Sequence, residues 1–298
     1  MMRAIILAES SQCDLKPLTD HIPHPLLPLA GKSILLHALE ALHRSSIRNV
    51  EVVAPTLHGR LEAAIDTRPI LGMNVEFRPQ MLDLRHSKEH CLIIGLSDLV
   101  DIDWNDIFDL LGELEYHALV PIRMMALGSP VALLIPPNFD GKVSCDWFDI
   151  HLTEAIQFPV TAERLVRTSS ISDYYEANFR LLQGKYKYLT PAGREFASGH
   201  RASPKARVHK KSIQSKHGYF GSNSKVDKSA QLCGSVILGD NVIVDSGARV
   251  SDSIIFDRTY IGANTNCSDA IISGNLMIKV ATGVCIELDD PVLFGAIA

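Results

Sequence analysis

The residue types able to do chemistry are plentiful in this chain but seldom grouped. Six cysteines (Cys13, Cys91, Cys145, Cys233, Cys267 and Cys285) occur without a C-x-x-C pair, which signals neither a disulfide framework nor a zinc site. A reduced, cytoplasmic chain is expected. Among twelve histidines no metal-ligand spacing stands out; His86 and His90, four apart, could chelate a metal if helical, and they read better as surface residues. No Ser-His-Asp order or nucleophile elbow can be placed. Lys16, just past the first apolar run, reads as an exposed loop lysine or as a contact for an anion. Asp98 closes the segment Gly95-Leu-Ser-Asp98 and reads as a loop or cap residue ahead of an amphipathic stretch from Trp104. Seven basic residues from Arg194 to Lys216 stand against Glu195 alone, giving that segment +6 and the remainder −11. With Phe196 as its one aromatic and no binding module around it, the segment is expected to be a solvated linker, without a nucleic-acid partner.

The elements that must position these residues follow from periodicity. With 298 residues, 46% hydrophobic and 21% charged, the chain can bury a large core and suggests two domains. Ala4–Ala8 is too short and too soon interrupted for a signal peptide, and no run approaches a membrane span. Ser33 caps a stretch in which Leu35, Ala38, Leu39 and Leu42 keep helical spacing. Strand-like runs at 50–54, 91–94, 118–120 and 131–135 each end at proline or glycine, and Trp104–Leu114 keeps a helical period. Alternating strands and helices predict a mainly parallel α/β sheet, with ligands beyond the carboxyl ends of its strands.

From Val226 the period becomes six. Val226, Leu232, Leu238, Val244, Val250 and Phe256 stand six apart, with a second apolar or small set four places after them, and a one-residue slip is expected at Ile261. Six-residue turns, three to a coil, predict a parallel β-helix of three to four coils. So short a stack is expected to pack on the first domain or on another subunit. The domains read as 1–190, a basic linker 191–216, and a β-helix 217–298.

Ala4-Ile-Ile-Leu-Ala8, Leu15-Lys-Pro-Leu-Thr-Asp20 and Ile22-Pro-His-Pro-Leu-Leu-Pro-Leu-Ala-Gly-Lys32 together resemble the opening of the sugar-1-phosphate nucleotidyltransferases, including the mannose-1-phosphate guanylyltransferase-like proteins. Ser172-Asp-Tyr-Tyr-Glu-Ala-Asn178 is similar to the helix after that family's second metal-binding aspartate. The resemblance implies a Rossmann-like nucleotidyltransferase domain followed by a left-handed β-helix, and a reaction joining a sugar phosphate to a nucleoside triphosphate with release of pyrophosphate. Such chemistry calls for a glycine-rich phosphate loop, cations, and carboxylates for magnesium.

Against that pattern the chain departs at the chemistry. The G-x-G-T-R-L loop reads Ser10-Ser-Gln-Cys-Asp-Leu15, which removes both glycines and puts Asp14 in place of arginine. The charge reversal alone opposes a triphosphate by about 6 kcal/mol. His24 stands where the family has lysine, Asp98 or Ser97 at the first metal position, and Arg167 at the second; the short segment 81–90 leaves no room for the family's G-T-A loop and helix. If a site is retained, Lys16 and His24 would touch substrate and Asp98 would hold magnesium. The resemblance, so altered, implies a catalytically inactive scaffold or regulatory subunit of nucleotide-sugar or polysaccharide metabolism. It would be a homo-oligomer or the partner of an active relative, joined through the β-helix, with a nucleotide or sugar phosphate as a conceivable ligand. The other reading is an active transferase with a divergent site. An acyltransferase is disfavoured, because no histidine follows His217 to serve as base within the coils.

Overall fold

The computed structural model describes residues 2–9, 15–66, 70–80, 88–106, 108, 122–126, 129–138, 156–290 and 292–297. The strand expected at 118–120, most of the helix from Trp104, and the loop Ser10–Asp14 lie outside the described residues.

Among the described residues, and besides the short pair Pro28–Leu29 and Lys32–Ser33, the first module contains β1 (Met2–Leu7), β2 (Asn49–Val53), β3 (Asn74–Arg78), β4 (His90–Gly95), β5 (Asp98–Val100), β6 (Ile122–Ala126), β7 (Ser129–Ile135), β8 (Ile156–Pro159) and β9 (Leu165–Arg167). Seven form one sheet in the order β8-β6-β7-β4-β1-β2-β3. It is parallel except for β7, which runs against both of its neighbours. Apolar residues on β1, β2 and β4 are buried on both faces, as a sheet covered on two sides requires. β5 and β9 form a separate antiparallel ribbon. Three helices matter for the site: α1 (Ile34–Arg44), α2 (His58–Asp66) and α3 (Ile171–Leu182). Ser33 caps α1 by accepting the Leu36 N–H at 3.1 Å, as its position before the apolar period predicts.

The second module is a parallel β-helix. Arg207, Lys225 and Ile243 lie in register eighteen residues apart on one face; His200, Gly218 and Val236 do the same on another. The basic stretch expected as a linker is therefore the first coil: His200–Ala202 pairs with His217–Phe220, and Arg207–Val208 with Lys225–Val226. Its charges mislead because an outward-facing coil position tolerates lysine and arginine; Ser212 and Ala202 supply the inward contacts.

The slip in register also falls earlier than expected. Pairing shifts between Cys233 and Val236, so that Ile255, not Phe256, stacks on Leu238. Gly234 takes φ +65° at this corner, where a Cβ would stand 2.2 Å from the Asp252 carboxylate. Released from the interior row, Phe256 turns to the first module and meets Tyr174 edge-on at 6.4 Å.

Tyr219, Ile237, Ile254 and Ile271 form an in-register row on the outer surface of the β-helix. All four are buried in the core they share with the α/β module. The short stack thus gains its packing within the chain, one of the two possibilities its length predicted.

Candidate functional site

Beyond the carboxyl ends of β1 and β4, the first acid is Glu9, directly after the buried run Ala4–Ala8. Its Oε1 accepts the Thr56 and Leu57 N–H groups, both at 2.7 Å, and Oε2 accepts the Thr56 hydroxyl at 3.0 Å. These donors sit at the entry to α2, where exposed N–H groups would draw an anion. The chain fills them with its own carboxylate. Sequence reasoning passed over Glu9, although an acid at the first position past a buried strand was the available signal.

The ribbon of β5 and β9 carries the next group. Asp98 stands directly opposite Arg167, so the two positions that the resemblance assigned to metal face each other. Asp98 Oδ1 accepts the Thr168 N–H at 2.8 Å, and the Thr168 hydroxyl donates to the Ser97 carbonyl at 2.9 Å. Burial, helped by the nearby Asp173 charge, raises the Asp98 pKa, while the Thr168 hydrogen bond and Arg167 oppose the shift.

His24 approaches the same threonine. Its Nε2 lies 3.2 Å from both the Thr168 carbonyl and hydroxyl oxygens, so Nε2–H donates to the carbonyl. Burial pushes the His24 pKa down to about 4, against the effect of that hydrogen bond, and the ring is neutral at pH 7. His24 and Asp98 are thus brought together through Thr168, a residue nothing in the sequence spacing marks. Lys16 is not part of this group: it is exposed, and its ammonium pairs with Asp20 at 3.9 Å. Asp101, buried nearby, accepts the N–H groups of Lys187, Tyr188 and Leu189 at 2.6 to 2.9 Å and fixes the chain after α3.

Magnesium, which the family resemblance implies, fits this donor set poorly. One Asp98 oxygen is taken by Thr168, a guanidinium occupies the opposite position, and no group of three His, Cys, Asp or Glu side chains among the described residues could hold a metal ion. His90 has its pKa lowered, first by burial. Its suggested partner His86 lies outside the described residues.

The motif in α3 serves packing. Ser170 caps the helix by accepting the Asp173 N–H at 3.1 Å. Asn178, fully buried, accepts the Ala30 N–H through Oδ1 at 2.8 Å and donates to the Tyr174 carbonyl at 2.9 Å. The Tyr174 hydroxyl donates to the Pro28 carbonyl, and the Tyr175 hydroxyl to the Asp252 carbonyl at 2.6 Å across the module boundary. Asn178 thereby holds the tight turn between Pro28–Leu29 and Lys32–Ser33, whose central residues Ala30 and Gly31 have φ of 46° and 88°. Gly31 is required twice, by that φ and by the Tyr219 ring, which a Cβ would approach to 2.3 Å.

Fold and site define a class: a mainly parallel α/β domain packed on a hexapeptide-repeat β-helix. Comparison with known proteins agrees. Residues 205–291 match the family model described as GlmU-like, C-terminal hexapeptide. The mannose-1-phosphate guanylyltransferase of Mycobacterium tuberculosis is 23% identical over 87% of this chain and 81% of its own length. A glucose-1-phosphate thymidylyltransferase of Streptomyces griseus is 29% identical over 35% of this chain, a stretch that spans only 28% of that enzyme. Among solved structures, HddC from Yersinia pseudotuberculosis in complex with GMP-PN aligns at 12% identity over 60% of this chain and 99% of its own, with a TM-score of 0.46. Over most of its length the chain is therefore similar to a sugar-1-phosphate nucleotidyltransferase, and over residues 205–291 to the hexapeptide-repeat family.

Proposed function

We propose that this chain is a member of the family that does not transfer nucleotides and serves as a binding or regulatory subunit in nucleotide-sugar or polysaccharide metabolism. One observation carries the reading: three carboxylates beside the cleft, Glu9, Asp98 and Asp101, each accept hydrogen bonds from the chain's own backbone. Glu9 takes Thr56 and Leu57, Asp98 takes Thr168, and Asp101 takes residues 187–189. A carboxylate that must hold a metal or receive a proton needs vacant lone pairs facing the substrate, and here those lone pairs already order loops.

Oligomerisation through the β-helix, with a second copy or an active relative, belongs to the same proposal. Val284, Ile286, Val292 and Leu293 are exposed toward the carboxyl end of that module and suit subunit packing. Cys91 and Cys267 are buried thiols, in keeping with a cytoplasmic protein, and no helix of the described residues is long and apolar enough to cross a membrane. The test is pyrophosphate release from each common nucleoside triphosphate with a hexose 1-phosphate in magnesium, beside calorimetric titration with nucleotides and nucleotide sugars. No turnover is expected with any pair. Magnesium-dependent release would overturn the reading.

A further inference from the structure

We propose that Arg167 is a resident counter-ion that keeps divalent cations out of the β5–β9 end of the cleft. The inference rests on the family reading above and deepens it by assigning the loss of metal to one side chain. Directly opposed residues of an antiparallel pair have Cβ atoms about 5 Å apart on the same face, and Asp98 and Arg167 are such a pair. An ion bound to Asp98 would therefore meet a guanidinium where it needs a second oxygen donor. Repulsion between a dication and a unit positive charge about 6 Å apart, at an effective dielectric of about 20, weakens binding by about four decades, and by fewer once solvent screens the exposed Arg167.

The neighbouring charges do not rescue the site. Asp173 is hydrogen-bonded to the Ser170 hydroxyl at 2.7 Å, and Glu176 pairs with Arg180 at 3.6 Å in the groove that Arg167 also lines. Only Asp98 faces the position from β5, and its Oδ1 is engaged by Thr168.

Manganese titration of the full chain, followed by the EPR signal of the unbound ion, tests this directly. Unaltered protein is expected to bind no manganese at the ribbon. Arg167→Asp should bind it at least about a hundredfold more tightly, and adding Asp98→Asn should remove the gain. Arg167→Gln, which deletes the cation without adding a ligand, should fall between. The proposal fails if the unaltered chain binds manganese and loses it with Asp98→Asn. It fails equally if Arg167→Asp, melting normally in EDTA, binds no better than the unaltered chain. Metal that Asp98→Asn does not displace lies elsewhere and leaves the Arg167→Asp comparison decisive. Metal binding without pyrophosphate release would sink the role of Arg167 alone; release would sink the proposed function.

Discussion

The module boundary and the cleft use polar side chains in opposite ways. At the module boundary, Tyr174, Tyr175 and Asn178 each send a hydrogen bond from α3 to another segment, and Gly31 lets Tyr219 close against the turn. In the cleft, Glu9, Asp98 and His24 turn back to nearby backbone or to each other's neighbour. Gly31, Tyr174 and Asn178 lie in the segments that resemble the family's, whereas His24 and Arg167 stand where the resemblance expects other residues. Retention therefore tracks what the folded state needs. A buried Asn or a positive-φ glycine cannot change without loss of stability, whereas a phosphate loop can change once no phosphate must be held.

Breaking the boundary should have the largest effect. Gly31→Ala brings a Cβ into the Tyr219 ring at a positive φ and is expected to cost about 4 kcal/mol in denaturant unfolding, with near-UV dichroism lost early if the modules separate. Asn178→Ala leaves the buried Ala30 N–H without its acceptor and should cost about 3 kcal/mol.

Acid should act on both regions together. His24 and His37 are buried with pKa values lowered to about 4, His37 by burial despite its hydrogen bond to the Leu29 carbonyl. The unfolded chain takes up these protons near pH 6.5 and the folded chain only near 4, so stability is complete above 6.5 and falls between those limits. The loss is about 3 kcal/mol for each ring, and His37→Gln should flatten the curve by one such step in pH-dependent denaturation.

The smallest change sharpens the contrast. Burial raises the Asp98 pKa, so its ionised form destabilises the fold as pH rises through that value. Asp98→Asn keeps the acceptor for Thr168 and should stabilise the protein slightly at pH 8, with no gain at pH 3, in denaturant unfolding.

Local spacing was enough to establish the α/β alternation, the Ser33 cap and the six-residue repeat, because each is written in spacings shorter than twenty residues. The same local logic misassigned the basic first coil, whose membership depends on pairing His200 with Gly218 and Arg207 with Lys225. It also misplaced the slip, which turns on the meeting of Gly234 and Asp252. Lys16, His24 and Asp98 could be named from sequence, but which of them meet could not. Thr168 joins His24 to Asp98 across separations of 144 and 70 residues, and no local pattern encodes a contact that exists only once β9 lies against β5. Residue type and spacing determined the modules; three-dimensional pairing decided the company each charge keeps, because hydrogen bonds and charge interactions act over a few ångströms of space and not over distance along the chain.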